Sequence, residues 1–273
     1  MGALEAAWAI AASWPVDDCA IAVVHRDGVD TFGDTRRRQR IASVSKPLSA
    51  WAVLVAMEEG TVSLDDPIGQ TGCTLRHLLC HAGGYPFDGA MPVGKPASKR
   101  IYSNTGYDMM ALHVEHAASM AFADYLHEAV LSPLGMVSSA LEGSCAKDIH
   151  STVDDLVAFV GELRIPRLVA RETWHDAISP VFPELSGVVP GIGSFDPCPW
   201  GLGVEIRGQK TPHWTATRNA GSTFGHFGGI GTFLWVDPVA DVACVMLAER
   251  EFDEWGMDHW PAFSDAVLDC VGR

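Results

Sequence analysis

Lys46 stands three residues after Ser43, in the string Ser43-Val-Ser-Lys46. At the start of a helix that spacing puts a hydroxyl and an amine on one face, one turn apart. An amine kept neutral by burial or by a second cation can take the serine proton and leave a nucleophilic oxygen. The helix N-terminus adds positive potential where negative charge develops on oxygen, and the same field disfavours the ammonium form. The spacing alone is a weak signal: chance pairing of 18 Ser with 5 Lys gives about 0.3 matches, and two occur, because Ser144-Cys-Ala-Lys147 also fits. Context separates them. Ser43 heads a run that is apolar on nearly every side, from Val44 to Met57, whereas Ser144 follows Gly143 in a polar stretch and reads as a surface coincidence.

Two further strings carry usable chemistry. Tyr102-Ser-Asn104 sits in a turn before a helix; a Tyr hydroxyl beside a Lys can relay a proton, and an Asn amide can orient a carbonyl. Gly225-His-Phe-Gly-Gly-Ile-Gly231 runs into an apolar strand, and its glycines let backbone approach a ligand closely and leave N–H groups free. His77, Cys80 and His81 have metal-like spacing, but no third ligand group is apparent, and a capped helix end with satisfied histidines is the favoured reading. There is no G-x-S-x-G, H-E-x-x-H, P-loop or G-x-G-x-x-G string.

The elements that must position these groups follow from periodicity and punctuation. A helix is expected over 3–13, ended by Pro15, and a hairpin over 21–24 and 29–32 around Arg26-Asp-Gly28. Residues 36–40 read as a solvated basic connection. The buried helix starts close to Ser43, since Pro47 is tolerated only in a first turn, and Gly60 ends it. Helices are expected over 75–80, 105–116, 120–130 and from Thr152 to about Leu163, with Pro/Gly loops over 85–100 and 179–200. Short strands follow at 202–207, 232–236 and 242–248, then a helix over 260–271. Strands at both chain ends around a helical middle predict an α+β fold, with an antiparallel sheet flanked by terminal helices and an inserted helical lobe. The division expected is one domain over 1–273, its sheet lobe about 1–42 and 200–273 and its helical lobe about 43–199.

S-x-x-K, then Y-x-N, then a small-residue H-x-G, in this order, resembles the penicillin-recognising serine hydrolases: class C beta-lactamases, D-alanyl-D-alanine peptidases and the carboxylesterases of the same beta-lactamase/transpeptidase-like fold. Gln39–Lys46, Leu75–Gly84, Ser132–Met136 and Gly225–Pro238 extend the likeness over about residues 20–250. The resemblance implies Ser43 as nucleophile, Lys46 as its proton acceptor and Tyr102 as the group passing a proton to the leaving group. Asn104 would hold a substrate amide or carbonyl, and His226 and Gly228 would line the substrate edge. The N–H groups of Ser43 and Gly229 would form the oxyanion hole. It implies neither cofactor nor metal. Two departures bear on substrate. His226-Phe-Gly228 replaces the K-T-G of most beta-lactamases, so a carboxylate is held less firmly, and Phe227 makes that edge more apolar. The chain is also short, and trimmed loops predict a more open site. The expected activity is hydrolysis of small esters or amides through a Ser43 ester. The alternatives are a beta-lactamase or D-alanyl-D-alanine carboxypeptidase, and, in another class, a sensor that holds a beta-lactam without turnover.

Composition limits the partners. The chain carries 19 Lys+Arg against 34 Asp+Glu, a formal −15, which argues against nucleic acid and anionic lipid as partners. A small-molecule ester, amide or beta-lactam remains. Seven cysteines without a C-x-x-C suit reduced thiols. The N-terminal apolar run lacks any Lys or Arg before Arg26 and is interrupted by Glu5, unlike a secretory signal, so a cytoplasmic location is expected.

Overall fold

The computed structural model describes residues 4–271, and a six-stranded antiparallel sheet built from both ends of the chain lies at its centre. Helix α1 (Glu5–Ala11) leads into the hairpin β1 (Cys19–His25) and β2 (Gly28–Phe32), turned at Arg26-Asp27 as expected. Ala3, included in the helix read from sequence, lies outside the described residues. The chain then forms β3 (Gln39–Arg40), a 3₁₀ turn over Ala42–Val44, α2 (Ser45–Glu58), α3 (Leu75–Leu79), α4 (Asn104–Ala118) and α5 (Phe122–Leu126), the last extended by a π-turn. Next come β4 (Ala140–Leu141), β5 (Ile149–Ser151), α6 (Val153–Arg164) and α7 (Arg171–Ala177). A hairpin of β6 (Gly187–Val189) and β7 (Gly193–Phe195) precedes β8 (Glu205–Ile206), β9 (Phe224–Gly228), β10 (Thr232–Asp237), β11 (Val242–Ala248) and α8 (Glu254–Val271).

The main sheet runs β2-β1-β11-β10-β9-β8. Strands β1, β11, β10 and β9 are buried on both faces because both faces are covered, whereas the edge strand β2 is exposed. Along β1, Ala20, Ala22 and Val24 pack with α2, α4 and α6, while Cys19, Ile21 and Val23 pack with α1 and α8. β11 divides the same way, Ala243, Val245 and Leu247 against Val242, Cys244, Met246 and Ala248. The two-residue period of a strand thus sorts side chains between a middle-helix layer and a terminal-helix layer. Trp14, Trp255, Trp260 and Phe263 fill the latter with edge-on aromatic contacts 5.1–6.1 Å between centroids.

Several expectations need correction. The last helix begins at Glu254 rather than 260, with Pro261 inside it. The proline removes one donor, but starting at Glu254 buries Trp255 and Trp260, and Asp253 caps the start by accepting the Trp255 N–H at 2.8 Å. The 179–200 loop contains the β6–β7 hairpin, and α7 was not foreseen. The strand expected over 202–207 shrinks to β8, because Gly203 lies hard against Ala50 of α2. Residues 36–40 are not simply solvated. Arg37 pairs with Asp18 and Glu249, Arg38 with Glu142 and Arg40 with Asp148, and β3 joins β5 and β4 in a small sheet. The seven cysteines form no disulfide, and six of them are buried. Among the described residues no helix is long and apolar enough to cross a membrane.

Candidate active site

Ser43 is presented by a strained turn. Ala42, just before it, has φ 46°, a left-handed conformation rare for a residue with a side chain. The segment is held from both sides: Ile41 N–H donates to the Ile149 carbonyl at 2.9 Å, and Thr232 Oγ1 donates to the Ile41 carbonyl at 2.9 Å. Ser43 itself is half-buried and faces the cleft, in the 3₁₀ turn ahead of the α-helix proper.

Lys46 is fully buried on the first turn of α2. Its Nζ lies 2.7 Å from Asn104 Oδ1, 3.0 Å from the Ala146 carbonyl and 3.4 Å from Ser43 Oγ. The first two are acceptors only, so a neutral amine spends its two N–H groups on them and turns its lone pair toward Ser43. Burial pushes the amine down to about 7, against the pull of Asp108 and Asp88. The string Ser144–Lys147 is therefore not a surface coincidence. It supplies the Ala146 carbonyl, its Cys145 carbonyl accepts from Ser49 at 2.8 Å, and Ser144 Oγ donates to Asp108 at 2.6 Å. Asn104 also departs from expectation. It is 2% exposed, its oxygen is taken by Lys46, and its Nδ2 donates to Asp88 at 3.3 Å, so the amide holds the base rather than facing the cleft.

Tyr102 reaches Lys46 and Ser43 from the turn before α4, whose first turn is capped by Ser103 Oγ accepting the Gly106 N–H at 2.9 Å. Lys46 Nζ lies 4.6 Å from the Tyr102 ring centroid. Burial raises the Tyr102 hydroxyl well above its ordinary range, with Ser43 opposing. His81 backs the ring at 4.4 Å and accepts the Ser103 N–H on Nδ1 at 3.1 Å. His77 instead closes a capping box with Thr74. No group of three or more metal-ligating side chains occurs among the described residues.

His226 and Gly228 lie within β9, a strand of its own, rather than opening β10. His226 Nε2 is 3.4 Å from the Tyr102 hydroxyl, and burial, then the charge of Lys46, pushes the imidazole down to about 3. Gly228 is a packing residue. A Cβ there would lie 2.3 Å from Thr232 Oγ1, 2.8 Å from the Ile41 carbonyl and 3.0 Å from Ala42 Cβ. Gly229 lines the cleft and has open space where a side chain would stand. Gly228→Ala must push the Ser43 turn away from β9. It is expected to cost about 1–3 kcal/mol in urea unfolding and about 100-fold in kcat.

The cleft beside Ser43 is about 230 Å³ and is walled by Phe87, Tyr102, Trp200, Phe227, Phe252 and the β6–β7 turn. The wall is anchored by Arg100, a residue with no sequence signal. Its buried guanidinium donates to the carbonyls of Cys80, Val181, Phe182 and Cys198, and its N–H to Ser186 at 2.8 Å. A second unforeseen cluster lies behind the cleft, where Glu205 meets Lys210, His213 and Trp214.

The family model described as Beta-lactamase matches residues 19–266. The crystal structure of a beta-lactamase from Mycobacterium bovis is 46% identical, with a TM-score of 0.96 over 98% of this chain and 100% of that one. The octameric penicillin-binding protein homologue from Pyrococcus abyssi shares the fold at 19% identity, with a TM-score of 0.74 over 95% of this chain and 75% of that one. A penicillin-binding protein of Bacillus subtilis (strain 168) is 29% identical over 129 residues, 35% of this chain and 29% of the relative. A putative D-alanyl-D-alanine carboxypeptidase of Escherichia coli O157:H7 is 23% identical over 253 residues, 67% of this chain, so the chain spans 29% and 58% of these two curated relatives' own lengths.

Proposed function

This chain belongs to the beta-lactamase family, and on that premise we propose that it hydrolyses small esters or amides through a Ser43 acyl-enzyme. The carrying observation is the placement of Lys46 Nζ, 2.7 Å from Asn104 Oδ1, 3.0 Å from the Ala146 carbonyl and 3.4 Å from Ser43 Oγ, so that the neutral amine, donating to the two carbonyls, turns its lone pair to Ser43. Ser43 Oγ attacks the substrate carbonyl carbon as its proton passes to Lys46. The N–H groups of Ser43 and Gly229 take the oxyanion, each worth roughly 3 kcal/mol in the transition state. The proton returns through Tyr102 to the leaving oxygen or nitrogen, and water then cleaves the Ser43 ester. Asn104 and the Ala146 carbonyl keep Lys46 in place, and Gly228 keeps Ser43 against β9.

A second reading, a beta-lactamase or D-alanyl-D-alanine carboxypeptidase, is favoured by the 46% identity to the Mycobacterium bovis beta-lactamase. Parallel assays with a short-chain p-nitrophenyl ester and a chromogenic cephalosporin separate the two. Ester turnover is expected to dominate and to vanish in Ser43→Ala. Faster cephalosporin opening would replace the first reading by the second, and ester turnover that survives Ser43→Ala would refute both. Intact mass after penicillin exposure tests for a sensor, which would keep a lasting adduct.

A further inference from the structure

The wall of the cleft beside Ser43 contains no cation. Its polar side chains are Ser43, Tyr102 and His226, the Trp200 indole N–H is buried away from the cleft, and the rest are aromatic or aliphatic. His226 is arranged so that it offers an anion nothing. Its Nδ1 lies 2.7 Å from the Phe227 carbonyl, which can only accept, so the proton sits there. Nε2 then carries a lone pair and faces the Tyr102 hydroxyl at 3.4 Å. A lysine at this position would present an ammonium group; this imidazole presents neither charge nor a free N–H.

Phe252 closes the cleft at its far end. Its ring packs on Phe227 and Trp260 with centroids 4.6 and 4.9 Å apart, and its N–H donates to the Gly229 carbonyl at 2.9 Å. Gly191, at the hairpin turn, leaves room for the ring: a Cβ there would lie 3.0 Å from it. Beyond Phe252 and Gly191 lies an adjoining hollow bordered by Asp253, Glu254 and Asp258, whose field repels anions. Toward solvent, Phe87 stacks on Tyr102 at 5.7 Å and remains 50% exposed, so the apolar surface continues to the mouth.

We propose that this cleft selects acyl groups that are apolar and carry no carboxylate, with Phe252 as the residue that ends the acyl pocket. The proposal rests on the Ser43 hydrolase reading above. An unpaired carboxylate entering such a pocket loses its hydration without gaining a partner, whereas an alkyl chain gains burial against Phe227 and Phe252.

The test compares kcat/KM for p-nitrophenyl hexanoate and p-nitrophenyl hemiadipate, equal in chain length and differing by a terminal carboxylate, with Ser43→Ala as the blank. The neutral ester is expected to lead by at least about 100-fold. Phe252→Ala joins the cleft to the acidic hollow, so p-nitrophenyl 6-aminohexanoate should gain roughly tenfold relative to the hexanoate in that variant. Equal kcat/KM for hexanoate and hemiadipate overturns the proposal and leaves the hydrolase reading standing. An unchanged aminohexanoate-to-hexanoate ratio in Phe252→Ala overturns the part given to Phe252. Absence of any Ser43-dependent turnover overturns both the proposal and the reading beneath it.

Discussion

Lys46→Met is expected to lower kcat for a p-nitrophenyl ester by roughly 10³-fold, with KM nearly unchanged, because general-base assistance is commonly worth about 10²–10⁴. Methionine fills the buried volume but has no lone pair able to take the Ser43 proton. Lys46→Arg should be equally inactive, since a guanidinium stays protonated; an active arginine variant would mean that position 46 supplies charge and not a base. The pH profile carries the same reading. Burial sets the Lys46 amine at about 7, below its ordinary 10.5, and the working form is the unprotonated one. Activity should therefore rise with pH up to about 7 and level off above it. His226, pushed down to about 3, stays neutral throughout and adds no inflection near neutrality. The shift also has a stability sign. An unfolded lysine binds its proton below 10.5 and the folded one only below about 7, so the Lys46 contribution makes the fold more stable as pH climbs through that window. Lys46→Met should remove that slope as well as the rate.

How far the sequence discloses these features depends on whether the determining contact is local. β11 runs over Val242–Ala248 as its unbroken apolar run implies, because a strand covered on both faces needs no polar alternation. α2 is legible for the same reason: a helix apolar all round must be buried, and the Ser-x-x-Lys string at its head inherits that burial. The second Ser-x-x-Lys string misleads because polarity reports where water can reach and not which backbone carbonyl meets an amine 100 residues away. Asn104 misleads differently. Its residue type allows it to face a substrate, and only the tertiary meeting with Lys46 and Asp88 turns it inward. The last helix, expected from 260, starts at Glu254 and carries Pro261 inside it, held there by the aromatic burial on either side. Arg100 and the Glu205 cluster leave no periodic trace, since their partners lie on irregular backbone that follows no helical or strand repeat.

Glu205→Leu is expected to destabilise the fold by about 3–5 kcal/mol, the usual cost of stranding one member of a buried ion pair, and to lower Tm by roughly 10 °C in a chain of this size. Glu205 and Lys210 are each 2% exposed, and Lys210 Nζ lies 2.9 Å from Glu205 Oε1. Lys210 also donates to the Pro199 and Ile206 carbonyls, which carry no full charge to balance it. His213 accepts the Thr215 N–H on Nδ1 at 3.2 Å, so its Nε2 carries the proton and donates to Glu205 Oε1 at 3.2 Å. Trp214 Nε1 donates to Oε2 at 2.7 Å. Removing the carboxylate therefore strands a cation and two donors together. Burial raises the Glu205 carboxyl, yet Lys210 and His213 together hold it well below the usual 4.5. Being depressed, its contribution stands in full above about pH 4.5 and is lost as pH falls below that, so native protein and Glu205→Leu should converge in strong acid. Adding Lys210→Met to Glu205→Leu should restore most of the loss, because an apolar pair can replace a buried ionic one. A Glu205→Leu urea midpoint close to that of the native chain would show that the pair contributes little. The effect should also reach the cleft. Trp214 packs on Phe227 at 5.6 Å between centroids, and Phe227 lines the wall beside Ser43. A Trp214 ring freed from Glu205 loosens that wall, so the single variant should raise KM for apolar esters more than it lowers kcat, and the double variant should return KM only as far as it returns Trp214 to its place.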